Sequence, residues 1–141
     1  MDPSATYAAL QAKHAAIAGV VSAPTDRPAT LAPAALPCVL TWLGPASWET
    51  LSSDYEEQER EWIVRYYHAP LAQGQWFANV SLIADVLPLF LRAYRDDPSL
   101  GGAVDRITTV RDNGDDGVLL YAGIPYAGFE LRVKIYEKGD I

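Results

Sequence analysis

Hydrophobic and polar residues alternate most regularly near the end of the chain, in residues 126–137. One set of alternate positions is apolar, and the other is mostly charged. The apolar set is Phe129, Leu131, Val133 and Ile135, and the other set is Glu130, Arg132, Lys134 and Tyr136. A period of two predicts a β-strand with one face on a hydrophobic core and one face in solvent. Such a strand needs partners, so the pattern predicts a sheet.

Two earlier stretches also have the character of strands. Residues 38–43 are mostly apolar, which predicts a short strand buried on both faces and ended by the Gly44-Pro45 pair. Residues 60–68 alternate and predict a second strand. Its apolar face is Trp62, Val64, Tyr66 and His68. Residues 46–59 mix aromatic and acidic side chains, and we predict a long loop there, or alternatively a hairpin excursion.

Helical spacing of apolar residues appears in two places. The first helix is predicted from a cap at Ser4 to residue 17 or 18, with an alanine-rich body. The second is predicted over residues 80–94 after a cap at Asn79. Pro88 lies inside it and either kinks the helix or divides it into two shorter helices, because proline cannot donate the helical hydrogen bond.

The last third of the chain has a strand pattern. Residues 105–111 and 118–122 predict two strands joined by a turn at 112–117 that contains the Asn-Gly hairpin signal. The fold class is therefore α+β. We expect a mixed or antiparallel sheet of about five strands that ends in a C-terminal β-meander, with two main helices on one face.

A single domain, residues 1–141, is expected from the length. Prolines recur through residues 22–37, which predicts an extended connection. That connection either crosses the subunit surface or forms an arm that lies on a neighbouring subunit.

The charge of the chain excludes some classes of partner. The net charge is −7, which argues against broad nucleic-acid binding and against docking on anionic membranes. Cys38 is the single cysteine, so an internal disulfide is excluded. The N-terminal residues lack the pattern of a signal peptide, and no apolar run is long enough for a membrane span. We therefore expect a protein made in a reducing cytoplasm.

Candidate catalytic chemistry is sparse. His14 and His68 lack a second ligand at metal spacing, and Cys38 lies in an apolar strand. Two carboxylate groups could hold a divalent cation or act as acid and base. One group is Asp54, Glu56, Glu57, Glu59 and Glu61, and the other is Asp112, Asp115 and Asp116. Solvated surface is the simpler interpretation of both, so we expect no catalytic, cofactor-binding or metal-binding residues and no enzyme activity.

Aromatic residues are frequent in the segments predicted as loops, which is typical of protein interfaces. Together with the charged row of the last strand, they form the candidate interface set. That set is Trp48, Tyr55, Trp76, Phe77, Arg132 and Lys134.

Two motifs carry a family resemblance: DPSLGGAV at residues 97–104 and YAGIPYAGFEL at residues 121–131. The sequence resembles small tail proteins of long-tailed phages, and the closest fit is the siphophage tail-terminator (tail-completion) family. The resemblance covers roughly residues 62–137. It implies an α+β structural subunit of the virion, assembled in the host cytoplasm into a ring that is typically six-fold. In that family the ring caps the tail tube, stops its polymerisation and meets the connector of the head.

The implied partners are therefore further copies of the chain, the tail-tube protein and head–tail connector proteins. DNA would pass through the lumen without specific binding, in agreement with the acidic balance of the chain, and no catalytic residue is implied. Three other interpretations stay open. They are another neck or stopper protein, a small metal-dependent hydrolase or nuclease that uses the carboxylates, and a small-ligand module with an aromatic pocket.

Overall fold

The computed structural model describes residues 2–52, 55–71, 81, 84–112 and 117–140. Two helices and five strands follow one another in this part of the chain, which confirms the α+β class. In chain order they are α1 (Pro3–Ala15), β1 (Cys38–Ser52), β2 (Tyr55–Pro70), α2 (Leu87–Asp96), β3 (Arg106–Asp112), β4 (Val118–Tyr121) and β5 (Ile124–Asp140). A short 3₁₀ turn, Pro33–Ala35, precedes β1. No described helix is long and apolar enough to cross a membrane.

The strand β5 is the centre of the sheet. The strand order is β1-β2-β5-β3, every named pair is antiparallel, and β4 pairs with β5 beyond the end of β3. The described residues of β3 and β4 therefore pair with β5 and not with each other, unlike the hairpin that the sequence predicts between them. Residues 113–116 of that turn lie outside the described residues. A tight turn at Ala122 and Gly123, both with positive φ, joins β4 to β5.

The strand β1 does not end at Gly44 and Pro45, which corrects the sequence prediction. The register shifts between Leu43 and Ala46, so one extra residue forms a β-bulge and the strand continues. A Cβ on Gly44 would lie 2.3 Å from the Glu61 carbonyl oxygen, so the bulge requires glycine. The predicted loop over residues 46–59 is wrong, and the hairpin alternative is correct. Its two arms are the distal half of β1 and the first part of β2.

The helices also differ from prediction at their ends. Asp2, not Ser4, caps α1, because its Oδ1 accepts hydrogen bonds from the backbone N–H groups of Ser4 and Ala5. The helix α2 begins at Leu87, with Pro88 in its first turn, where a missing N–H costs little. Helical residues 81, 84 and 85 come before it, with a turn at Val86, so the alternative of two shorter helices fits better than one kinked helix.

Both helices cover the same face of the sheet, as predicted. Leu10 of α1, Ile17 just after it, and Phe90 and Tyr94 of α2 are buried in one cluster with the apolar row of β5. That row is Phe129, Leu131, Val133 and Ile135, and its burial confirms the alternation in the sequence. These residues form the main core.

A buried polar network ties α1 to β1 and α2. The amide oxygen of Gln11 accepts a hydrogen bond from Thr41 at 2.8 Å and faces Nδ1 of His14 at 2.9 Å. Since that oxygen only accepts, Nδ1 carries the proton and Nε2 accepts from the hydroxyl of Tyr94 at 2.6 Å. Burial lowers the pKa of His14 to about 3, so the ring is neutral, and burial raises the pKa of Tyr94. His14 is therefore structural.

The proline-rich segment packs on its own sheet. Leu31 is buried with Leu40 and Tyr67 on the face opposite the helices. Arg27 donates from Nη2 to the carbonyl of Thr41 at 3.1 Å, and the hydroxyl of Tyr121 donates to the carbonyl of Pro28. These contacts agree with a connection that crosses its own subunit.

Candidate interaction surface

The sheet face opposite the helices carries a group of ionisable side chains that we call the charged face. Strand alternation places these residues beside one another. The charged face consists of Glu49 of β1, Glu57, Glu59, Glu61 and Arg65 of β2, Glu130, Arg132, Lys134 and Tyr136 of β5, and Arg106 and Arg111 of β3.

At one end of the charged face, Glu130 is buried, which corrects the prediction that its row is solvated. Only 1% of its side chain is exposed, and it lies 2.7 Å from Nε of Arg65 and 3.2 Å from Nε of Arg132. Burial by itself would lower the pKa of Arg65, but Glu130, together with Tyr67, outweighs it, so the pKa is raised. The two arginines shield the carboxylate from water, which explains why alternation alone misplaces it.

Further along the face, acidic and basic residues pair between β2 and β5. Glu61 lies 3.1 Å from Nη1 of Arg132, and Glu59 lies 3.4 Å from Nζ of Lys134. The hydroxyl of Tyr136 donates to Glu57 at 2.8 Å, and this hydrogen bond raises the pKa of Tyr136. Arg132 and Lys134 therefore lie on the predicted face, but each already has a partner in its own subunit.

The charges are sorted by strand. The glutamates of the distal half lie on β1 and β2, while the cations lie on β5 and β3. On this face the β1 edge therefore carries one carboxylate, Glu49, and the β3 edge carries two arginines, Arg106 and Arg111. Sequence reasoning missed this, because β3 follows β1 by a long interval in the chain and only the strand order shows that they are opposite edges.

Two of the four predicted aromatic residues, Trp48 and Tyr55, are at the distal end of the β1–β2 hairpin. Trp48 is 56% exposed on the helix side of the sheet, with the guanidinium of Arg60 5.5 Å from its ring centroid. Tyr55 is 37% exposed on the other face, with Nζ of Lys138 5.5 Å from its ring. The structure therefore brings Trp48 and Tyr55 to one end of the molecule. Trp76 and Phe77 lie outside the described residues.

An open groove of about 340 Å³ lies beside Trp48, and the carboxylates of Glu49, Glu57 and Glu59 line it together with Tyr136. Its acidic and aromatic lining matches a positively charged side chain of a protein partner. Glu49 was not among the predicted interface residues. The alternation of residues 46–50 could have identified it, had the segment been taken as a strand.

The described members of the two carboxylate groups lie far apart. Asp112 pairs with Leu131 of β5, whereas Glu57 pairs with Lys138, so they are separated by about 23 Å along the strand direction at about 3.3 Å per residue. Asp54, Asp115 and Asp116 lie outside the described residues. Among the described residues, no group of histidine, cysteine and carboxylate side chains could hold a metal ion. Cys38 is buried, and burial raises the pKa of its thiol, which opposes a nucleophilic role.

Comparison with known proteins adds no family assignment. No protein-family model matches the chain, and a comparison with curated protein sequences finds no match. The surface geometry therefore carries the functional argument.

Proposed function

We propose that this chain is a structural subunit of a long-tailed phage virion: a tail terminator that assembles into a ring, caps the tail tube and joins it to the head connector. The observation that carries the proposal is that the two sheet edges differ in charge on the charged face, with Glu49 on β1 and Arg106 and Arg111 on β3. A subunit with two different complementary edges associates head to tail, and such contacts close into a ring when the rotation permits. The motifs at residues 97–104 and 121–131 supply the link to the phage family.

The aromatic end of the β1–β2 hairpin supports the proposal. Exposed Trp48 and Tyr55 contribute apolar area at the end of a three-stranded projection, where it can reach another protein.

The enzyme alternatives have less support. The separation of Asp112 from Glu57 opposes a site that both carboxylates share. The groove beside Trp48 is open and three of its lining residues are glutamates, unlike a typical small-molecule pocket, which is enclosed and mostly apolar.

Tail-tube assembly in the presence of the chain tests the proposal. Polymerising tube protein from the same phage should stop growing when the chain is added, and labelled chain should be found at one end of each tube by electron microscopy. Tubes of unchanged length, with no label at their ends, would contradict the proposal. Labelled tube ends on tubes that continue to grow would instead indicate another neck or stopper protein.

A further inference from the structure

We propose that the β1 edge of one copy of this chain binds the β3 edge of a second copy, with Glu49 meeting Arg106 and Leu43 meeting Val110. The inference rests on the proposed ring and names the surfaces through which its subunits join.

The β1 edge carries negative charge that its own subunit does not neutralise. Glu49 lies directly across from Glu57 on the neighbouring strand, an arrangement of like charges that destabilises a sheet. Glu49 is exposed and has no ion-pair partner among the described residues. A cation from outside the subunit, placed in the adjoining groove, would relieve this repulsion.

The β3 edge carries the matching cations. Arg106 is exposed, and its guanidinium stacks 4.9 Å from the ring of Tyr136 without an ion pair in the described part of the chain. Arg111 has 67% of its side chain exposed and reaches Glu61 only at 3.7 Å. Both arginines can therefore turn toward a second copy at little cost.

The register of the sheet shows that these residues lie at nearly the same position along the strand direction. We call residues at the same position along the strands residues of the same height. Ser47 pairs with Glu59, Glu59 with Tyr136, and Tyr136 with Arg106. A ring rotation about an axis parallel to the strands preserves height. It therefore places Arg106 of the second copy beside Ser47, one same-face position from Glu49, within the reach of an arginine side chain.

The same alignment pairs apolar residues on the helix side. Leu43 pairs with Trp62, Trp62 with Val133, and Val133 with Val110, so Leu43 and Val110 share a height. Leu43 is 57% exposed, which the second copy would explain by covering it. Ala46 and Ile107 also lie at one height, which puts Trp48 diagonally beside Ile107 of the second copy.

Both edges are blunted against continuous backbone pairing. Pro45 and the bulge interrupt β1, and the N–H of Ile107 already donates to the carbonyl of Pro98 at 2.8 Å. The contact is therefore made by side chains. This limits growth into an open sheet while permitting a closed ring.

Charge reversal at the two edges tests the contact. Assembly is measured by light scattering, either on the chain alone or with tube protein, in the condition in which the wild type assembles. Glu49→Arg and Arg106→Glu should each raise the concentration needed for assembly at least about tenfold, because each puts like charges at every junction. An equimolar mixture of the two variants should assemble again, because every junction between unlike variants restores one opposite pair. Asp96→Arg and Arg92→Glu, on the exposed side of α2, are the matched controls and should assemble as the wild type does.

The outcomes separate this inference from the proposed function. Normal assembly of either single variant, or failure of the mixture to assemble while both variants stay folded, would overturn the edge contact and leave the ring proposal standing. A wild-type chain that stays monomeric both alone and with tube protein would overturn both. Thermal unfolding of each variant verifies that folding is retained.

Discussion

Glu130 and Arg65 are directly opposite on β5 and β2, and their side chains meet at 2.7 Å with the carboxylate buried. Arg132 approaches the same carboxylate from its own strand. This arrangement buries a charged carboxylate among the side chains of the sheet face and holds β2 and β5 in register. It is also the point at which the charged face joins the part of the sheet covered by the proline-rich segment.

Removal of this carboxylate should destabilise the fold. We expect Glu130→Ala to lower the free energy of unfolding by about 2 kcal/mol, less than the roughly 3 kcal/mol of a fully buried pair, because Arg65 keeps 35% of its side chain exposed. Urea denaturation measures the change. Glu59→Ala is the control, since its pair with Lys134 is 41% exposed on both sides and should contribute no more than about 0.5 kcal/mol. Equal effects of the two substitutions would contradict the structural role of Glu130.

Stability should fall in mild acid because of His14. Its folded pKa of about 3 is below the ordinary value of 6.5, so the unfolded chain binds a proton first as the pH drops. The contribution of His14 is fully present above pH 6.5 and is lost progressively toward pH 3. Between about pH 7 and pH 5, this amounts to about 2 kcal/mol. His14→Gln, measured by urea denaturation over the same range, should show a shallower pH dependence, and an identical slope would contradict the buried neutral ring.

The turn between β4 and β5 offers a stabilising substitution. Ala122 has φ of 50°, a conformation that strains residues with a Cβ but that asparagine tolerates well. Ala122→Asn should raise the free energy of unfolding by about 0.5 kcal/mol or more, whereas Ala122→Val should lower it by about 1 kcal/mol. Thermal unfolding of both variants checks this, and the reverse order of stability would refute the turn geometry.

Two tryptophans should separate folding from assembly. Trp62 is buried under the helices, and Trp62→Ala should lower stability by about 3 kcal/mol or more. Trp48 is largely exposed, so Trp48→Ala should change monomer stability by less than about 1 kcal/mol while weakening self-association about tenfold. Urea denaturation and light scattering together distinguish the two effects. Unchanged association of Trp48→Ala would remove this residue from the interface.

The periodicity of the sequence predicts those parts of the fold that depend on residues close together in the chain. The apolar row of β5, the buried face of β2 at Trp62, Val64 and Tyr66, and the packing of both helices on one face all follow from it. The continuation of β1 through Pro45 does not, because a bulge depends on how the partner strand accommodates the extra residue. The burial of Leu31 and Glu130 likewise depends on tertiary partners.

The candidate surface shows the same division. Sequence reasoning places Trp48, Tyr55, Arg132 and Lys134 on exposed or charged surface, where the structure has them. The proposed contact of Glu49 with Arg106 of a second copy cannot be predicted from the sequence, since it requires the strand order and the register of four strands.

The molar mass of the wild-type chain in solution, measured by light scattering with and without tube protein and followed by negative-stain imaging, decides whether the subunits form a ring. We predict closed rings, with a mass that is an integral multiple of the subunit and is six-fold if the family resemblance holds. A chain that remains monomeric in both conditions, with no affinity for tube or connector protein, would contradict it.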